Sequence, residues 1–150
     1  MTFGKNSSTA SDLPALDAIS AAQQLAFAPM LFHAAGCLRD MGLLAFLEER
    51  KTEGATAEEV ARACGLSAYG AGVLLEAGGS ARLVREENGR FFLGKAGQFF
   101  LHDRMTRVNF DFVRDVCYAG MARLRESVEK GKPEGLKEFG DWPTIYPALS

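Results

Sequence analysis

The side chains able to do chemistry are few and scattered. The only histidines, His33 and His102, lie far apart along the chain. His33 falls in an apolar helical stretch, where a hydrogen-bonded core or pocket histidine is the expected role. Neither histidine has a cysteine or acidic ligand pattern beside it, so no metal site is expected. Cys37, Cys64 and Cys117 are widely spaced and odd in number. Without a C-x-x-C pair they build neither a zinc knuckle nor a disulfide framework, and they read as small buried hydrophobes in a reducing cytoplasm. Serine, histidine and aspartate occur, but with no nucleophile elbow or triad spacing. The run from Val73 to Ser80 imitates a cofactor loop, with apolar residues, Glu76 and then Gly78-Gly79. A dinucleotide or methyl-donor loop needs further glycine and a following helix whose N-terminus faces the ligand. Here two β-like runs follow and Ser67 opens a helix just upstream, so the run reads as helix. The chain is expected to hold no cofactor and no catalytic residue of its own.

Composition frames what must position these residues. A chain of 150 residues is one domain by length, long enough to bury about 70% of its unfolded surface. A hydrophobic content of 47% and a charged content of 24% make disorder the wrong default. The formal net charge of −2 supplies no attraction for nucleic acid or an anionic membrane. Eleven phenylalanines against three tyrosines and one tryptophan point to large apolar contacts, in a core or between subunits. Met1 to Asp12 is polar and lacks the apolar stretch of a signal peptide. The most apolar segment, Leu25 to Leu38, holds Pro29 and His33 and is closed by Arg39-Asp40, too interrupted to span a bilayer. A cytoplasmic protein with no membrane partner is expected.

Along the chain, residues 1–11 read as a disordered leader and 12–52 as helices. Leu13, Leu16 and Ile19 mark a first helix from Asp12, and Pro29 suits the first turn of a second. That second helix presents Met30, Leu31, Ala34, Ala35, Leu38 and Met41, and Gly42 ends it in a left-handed cap before Leu43 to Glu49 restart a short helix. Residues 53–104 carry the sharpest local signals. Thr56-Ala57-Glu58-Glu59 is a capping box, with Val60, Ala61 and Cys64 on the buried side and Gly65 as the stop. Ser67 caps a second helix that turns Val73, Leu74, Leu75 and Ala77 inward. Leu83 to Glu86, a turn at Glu87-Asn88-Gly89 and Arg90 to Leu93 form a β-hairpin. Helix, turn, helix and hairpin is the winged-helix order. Gly94 to Leu101 reads as a short helix, and 105–150 as a long helix from Thr106 to Lys130, stopped by Gly131-Lys132-Pro133, then a linker in which Thr144 could cap a further helix. The fold class predicted is mainly α, a winged helix flanked by long dimerisation helices.

Several of these strings recur in the same order in one family. Phe27-Ala28-Pro29-Met30-Leu31, the Met41-Gly42-Leu43-Leu44 elbow, Ala55 to Ala61 with Gly65-Leu66, Val73-Leu74-Leu75 before Arg82-Leu83-Val84, and Gly89-Arg90-Phe91-Phe92-Leu93 followed by Gly97 resemble the N-terminal domain of S-adenosylmethionine-dependent small-molecule O-methyltransferases. Leu124 to Gly131 is similar to that family's helix before its linker. The resemblance covers about Ala18 to the C-terminus. Gly78-Gly79 departs from it, standing where the family has a helix-favouring run. Two glycines cost on the order of 2 kcal/mol of helix propensity relative to alanine, so an early end to that helix is expected.

The resemblance implies a homodimer built by interleaved helices, here through Met30, Leu31, Ala34, Leu38, Phe112, Val116 and Met121. It also implies that S-adenosylmethionine and the catalytic base belong to a domain that would follow Ser150 in a complete enzyme acting on a small-molecule acceptor. Side chains of the dimerisation domain line the acceptor pocket in such enzymes, which makes His33, Phe110, Phe112 and Tyr118 the candidates here. The alternative is a homodimeric winged-helix transcriptional regulator. Against it, no Lys or Arg lies between Ala63 and Ala81, where a recognition helix needs them, and six basic residues face seven acidic ones between Glu53 and Arg104.

Overall fold

The computed structural model describes residues 13–140. The expected leader over 1–11, a helix start at Asp12 and a cap at Thr144 lie outside the described residues. The chain divides into two compact units between Leu93 and Gly94. It is mainly helical, with one two-stranded antiparallel sheet.

The first unit begins with α1, Ala15–Asp40. Two helices with a break before Pro29 were expected, but α1 runs unbroken with Pro29 inside it. An interior proline costs roughly 3 kcal/mol through its missing N–H and its clash with the preceding turn. The packing of α1 against α4, Ala68–Ser80, favours the continuous helix, because tertiary contacts outweigh local propensity. Gly42, at φ +82°, then turns the chain into α2, Leu43–Arg50. Leu43, Leu44 and Leu47 of α2 are wholly buried, as is Leu38 of α1.

Helix α3, Ala57–Cys64, starts at the capping box read from the sequence. Thr56 Oγ1 accepts the Glu59 N–H at 3.2 Å, and Glu59 Oε2 accepts the Thr56 N–H at 2.9 Å. Gly65, at φ +68°, closes it, with the Leu66 N–H reaching the Ala61 carbonyl. Ser67 Oγ accepts the Gly70 N–H and starts α4. The inward face of α4 is Ala71, Leu75 and Gly78, with Leu74 and Ala77 partly covered. Val73, expected inside, is exposed.

The early end expected at Gly78-Gly79 does not occur, since α4 continues to Ser80. Its C-terminus is a Schellman turn, in which the Arg82 N–H meets the Gly79 carbonyl and the Leu83 N–H meets the Gly78 carbonyl. Arg82 holds the left-handed position at φ +59°, where glycine is the usual residue. Strands β1, Val84–Glu87, and β2, Arg90–Leu93, pair with Glu87 opposite Arg90. Asn88 and Gly89, at φ +53° and +74°, form the tight turn that suits strand twist. Ala55 adds an antiparallel bridge to Phe91.

In the second unit α5, Lys95–His102, leads into α6, Arg104–Phe112. Asp103 caps α6, accepting the Thr106 N–H and hydroxyl, each at 2.7 Å. The single helix expected over Thr106–Lys130 is not one helix. It passes through a π-helical segment, Val113–Cys117, into α7, Tyr118–Met121, breaks at Ala122-Arg123 and resumes as α8, Leu124–Lys130. The break lies where the backbone of Gly120 meets that of Gly135 in a 3-10 turn, Glu134–Glu138. A side chain on either glycine would collide with the other's carbonyl. Arg123 ties the two segments further, donating to Glu138 at 2.7 Å and to Glu126 at 3.3 Å.

Candidate functional site

A helix inside a single domain buries an apolar stripe against its own chain; α1 does so only near its C-terminus. Ala35, Gly36 and Leu38 are buried, while Leu16, Ile19, Phe27 and Met30 are exposed at 80%, 58%, 50% and 68%. The spacing of these four, three then eight then three residues, sets them along one side of a helix. Leu25, 78% exposed, falls on the opposite side. Five large apolar side chains in water along one helix make an unpartnered surface of the kind that marks an interaction site.

The expected interface residues divide accordingly. Met30 is exposed, and Leu31 and Ala34 are partly covered. Leu38 is a correction. Its side chain is fully buried in the first unit, against Gly78 of α4, which leaves nothing of it to meet a second copy. In the second unit Phe112 and Met121 are exposed at 50% and 47%, and Val116 is partly covered within the π-helical segment.

Beside the C-terminal half of α1 lies a groove of about 520 Å³, lined by Gln24, Ala28, Leu31, Phe32, Ser80, Ala81 and Arg82. Ala28, Leu31 and Phe32 of α1 supply the apolar part of its wall. Gln24, Ser80 and Arg82 add an amide, a hydroxyl and a guanidinium, a mixture suited to an apolar body with a polar end. His33, expected in a core or pocket, is exposed and does not line this groove. Its neighbour Phe32 does, with the two rings edge to face at 6.0 Å between centroids. Apolar periodicity on α1 could not separate these adjacent positions.

The other pocket candidates separate as well. Phe110 is a core residue of the second unit, packed edge to face on Phe100 at 4.8 Å with the Arg114 guanidinium 5.9 Å from its ring. Phe112 is half-exposed and Tyr118 partly covered. The cysteines also depart from expectation. Cys37 is exposed, and Cys64 and Cys117 are only partly buried. Partial burial raises the Cys64 thiol above its ordinary pKa.

The ends of the first unit's elements are locked by one charged network. Arg90 of β2 donates to the carbonyls of Glu53 and Gly54, at 2.7 and 3.1 Å, and to Glu59 at 3.0 Å. Arg50 of α2 lies 3.9 Å from the other Glu59 oxygen. The Thr56 N–H, and then Arg90 and Arg50, hold the Glu59 carboxyl below the usual carboxylate range against the opposing effect of desolvation. Gly54 sits inside this network at φ +59°, so close to Phe92 that a Cβ there would lie 2.7 Å from the ring.

The fit of the expected methyl donor to this chain is poor. Val73 to Ser80 is interior helix, and β2 passes to α5 through Gly94 alone. Among the described residues there is no glycine-rich loop between a strand and a helix, and no three His, Cys, Asp or Glu side chains gather as a metal site would require. No single described helix is long and apolar enough to cross a membrane; α1 and α2 reach that only together, bent by 62°.

Comparison with known proteins agrees with the sequence resemblance. Residues 20–91 match the Dimerisation2-like domain. No curated protein matches the chain. Among solved structures, the apo form of the S-adenosylmethionine-dependent methyltransferase SibL superposes with a TM-score of 0.70 at 25% identity, over 81% of this chain and 36% of SibL. PigF with SAH gives 0.69 at 19% identity, over 91% of this chain and 40% of PigF, a likeness of fold. The chain therefore spans well under half the length of either. Residues 20–91 are thus similar to the Dimerisation2-like domain, in a chain that shares its fold with part of an S-adenosylmethionine-dependent methyltransferase.

Proposed function

We propose that the chain is the N-terminal dimerisation and substrate-pocket domain of an S-adenosylmethionine-dependent O-methyltransferase, silent as a catalyst by itself. The observation that carries this reading is the match of residues 20–91 to the Dimerisation2-like domain, over the same stretch in which α1 leaves Leu25, Phe27 and Met30 in water. In this reading residues 12–52 supply dimerisation helices, 53–104 a winged helix of α3, α4 and the hairpin, and 105–150 further dimer contacts and a lead into the catalytic domain. Two copies bury their apolar faces in a cytoplasmic homodimer, and an obligate interface of this kind covers more than roughly 2,000 Å² in total. The acceptor is a small molecule with a hydroxyl on an aromatic or polyketide-like body, and the groove beside Phe32 and Arg82 is a wall of its pocket. S-adenosylmethionine binds to the catalytic domain of the complete enzyme, and no step of the reaction is assigned to residues of this chain.

Two measurements test the reading. Sedimentation of the chain should give a dimer at micromolar concentration; a folded monomer there would remove the dimerisation role. The coding sequence downstream of Ser150 should encode a strand, a glycine-rich loop and a helix; an immediate stop codon would remove the methyltransferase role.

A further inference from the structure

The second unit contains a separate cavity of about 300 Å³, lined by His102, Arg104, Arg107, Val108 and Asp111. It lies where α5 gives way to α6, and the two guanidinium groups of Arg104 and Arg107 meet there within one turn of helix. Seven of the nine other arginines are paired with a carboxylate, while Arg62 and Arg82 have no such partner among the described residues. Arg50 and Arg90 face Glu59, Arg114 faces Asp111 and Asp115, and Arg123 faces Glu126 and Glu138. The guanidinium groups of Arg104 and Arg107 have no hydrogen-bond or ion-pair partner among the described residues.

The carboxylates nearest in sequence are engaged elsewhere. Asp103 turns back onto its own helix to receive the Thr106 N–H and hydroxyl. Asp111, the one acid of the cavity wall, lies 3.2 Å from the Arg114 guanidinium. Arg104 and Arg107 stand three residues apart in the first two turns of α6, a spacing that places both on one side of the helix. That end of a helix also carries the positive pole of its dipole. Two guanidinium forks over a small cavity match the tetrahedral oxygens of phosphate, which arginine grips with paired N–H donors.

We propose that this cavity is an anion site for a phosphate-bearing small molecule, with Arg104 and Arg107 as its ligands. The site shares no residue with the apolar surface of α1 and does not depend on the dimerisation reading. Its size admits a phosphate or diphosphate group with little organic body, so recognition is of the charged head.

Titration of the full chain with sodium pyrophosphate, followed by calorimetry and by the NMR shifts of the Arg104 and Arg107 side chains, tests the site. The expected result is saturable one-to-one binding that weakens at least about tenfold in Arg104→Gln/Arg107→Gln. Arg107→Lys keeps the charge but loses the fork, and should bind between the two. Arg125→Gln, which removes an exposed arginine paired with Glu129, should bind as the native chain does. Succinate should bind more weakly than pyrophosphate if the site reads tetrahedral oxyanions. Absence of saturation with pyrophosphate, equal loss in Arg125→Gln, unchanged binding in the double variant, or succinate binding as tightly would each overturn the proposal.

Discussion

A Cβ placed on Gly78 would lie 2.9 Å from Leu38 Cδ1 and 3.0 Å from Val84 Cγ2, so this glycine is the point where α1, α4 and β1 close on one another. Leu38 is fully buried and Val84 nearly so, and a β-branched valine has little freedom to retreat. Gly79, one residue on, has open space where a side chain would go. Gly79→Ala should therefore stabilise the protein by roughly 1 kcal/mol through helix propensity. Gly78→Ala gains the same propensity but overpacks the seam at about 1–3 kcal/mol, and should be neutral to destabilising by up to about 2 kcal/mol. Urea unfolding of the two variants separates them, and equal stabilisation would show that the seam is loose.

The apolar surface of α1 makes a second expectation specific. Ile19→Glu/Met30→Glu places charges at positions 58% and 68% exposed, so a single copy should keep its helical circular dichroism. Dimer dissociation should strengthen by at least about tenfold, read by sedimentation equilibrium. Leu38→Asp should behave differently, because an unpaired carboxylate in the first unit's core costs several kcal/mol and unfolds the chain. A double variant that dimerises like the native chain would move the interface off this side of α1.

Acid should expose the capping carboxylates. Glu59 is held low chiefly by the Thr56 N–H, and Asp103 chiefly by the Thr106 N–H. A carboxylate with a depressed folded pKa contributes its full stability above the unfolded value and loses it as pH falls through the folded value. With ordinary values of 4.5 for glutamate and 3.8 for aspartate, the loss belongs below about pH 4.5. Thermal melts from pH 7 downward should show native stability falling in that window, and Glu59→Gln falling less steeply from a lower start. Thr56→Ala should cost about 0.5–2 kcal/mol at neutral pH. Parallel acid slopes in the native and Glu59→Gln proteins would remove Glu59 from this role.

The contact between Gly120 and Gly135 offers a fourth test. A Cβ on Gly135 would lie 2.7 Å from the Gly120 carbonyl oxygen, and backbone cannot yield as a side chain does. Gly135→Ala should release the 3-10 turn from α7 at about 1–3 kcal/mol. Hydrogen exchange should then accelerate at Leu136 and Phe139, with the capping box of α3 unaffected. Unchanged exchange at those amides would mean that the turn is held by Arg123 and Glu138 alone.

What the sequence by itself determined is local. The Thr56–Glu59 box, the Ser67 cap, the Asn88-Gly89 turn and the stops at Gly42, Gly65 and Gly131 all form as read, because each is completed within a few residues. The resemblance also lay in such strings, and it pointed to the Dimerisation2-like domain now matched over residues 20–91. The tertiary structure decided what depends on distant partners. Pro29 reads locally as the start of a second helix, yet it lies inside α1, which packs on α4, and Gly78-Gly79 reads as a helix end, yet Gly78 lies against Leu38 and Val84. Leu38 and Met30 share one apolar run, yet one is core and the other lies in solvent. A periodic pattern says that a helix has an apolar side. Only the other elements of the fold, supplied from elsewhere in the chain, say how much of that side is covered and how much is left for a partner.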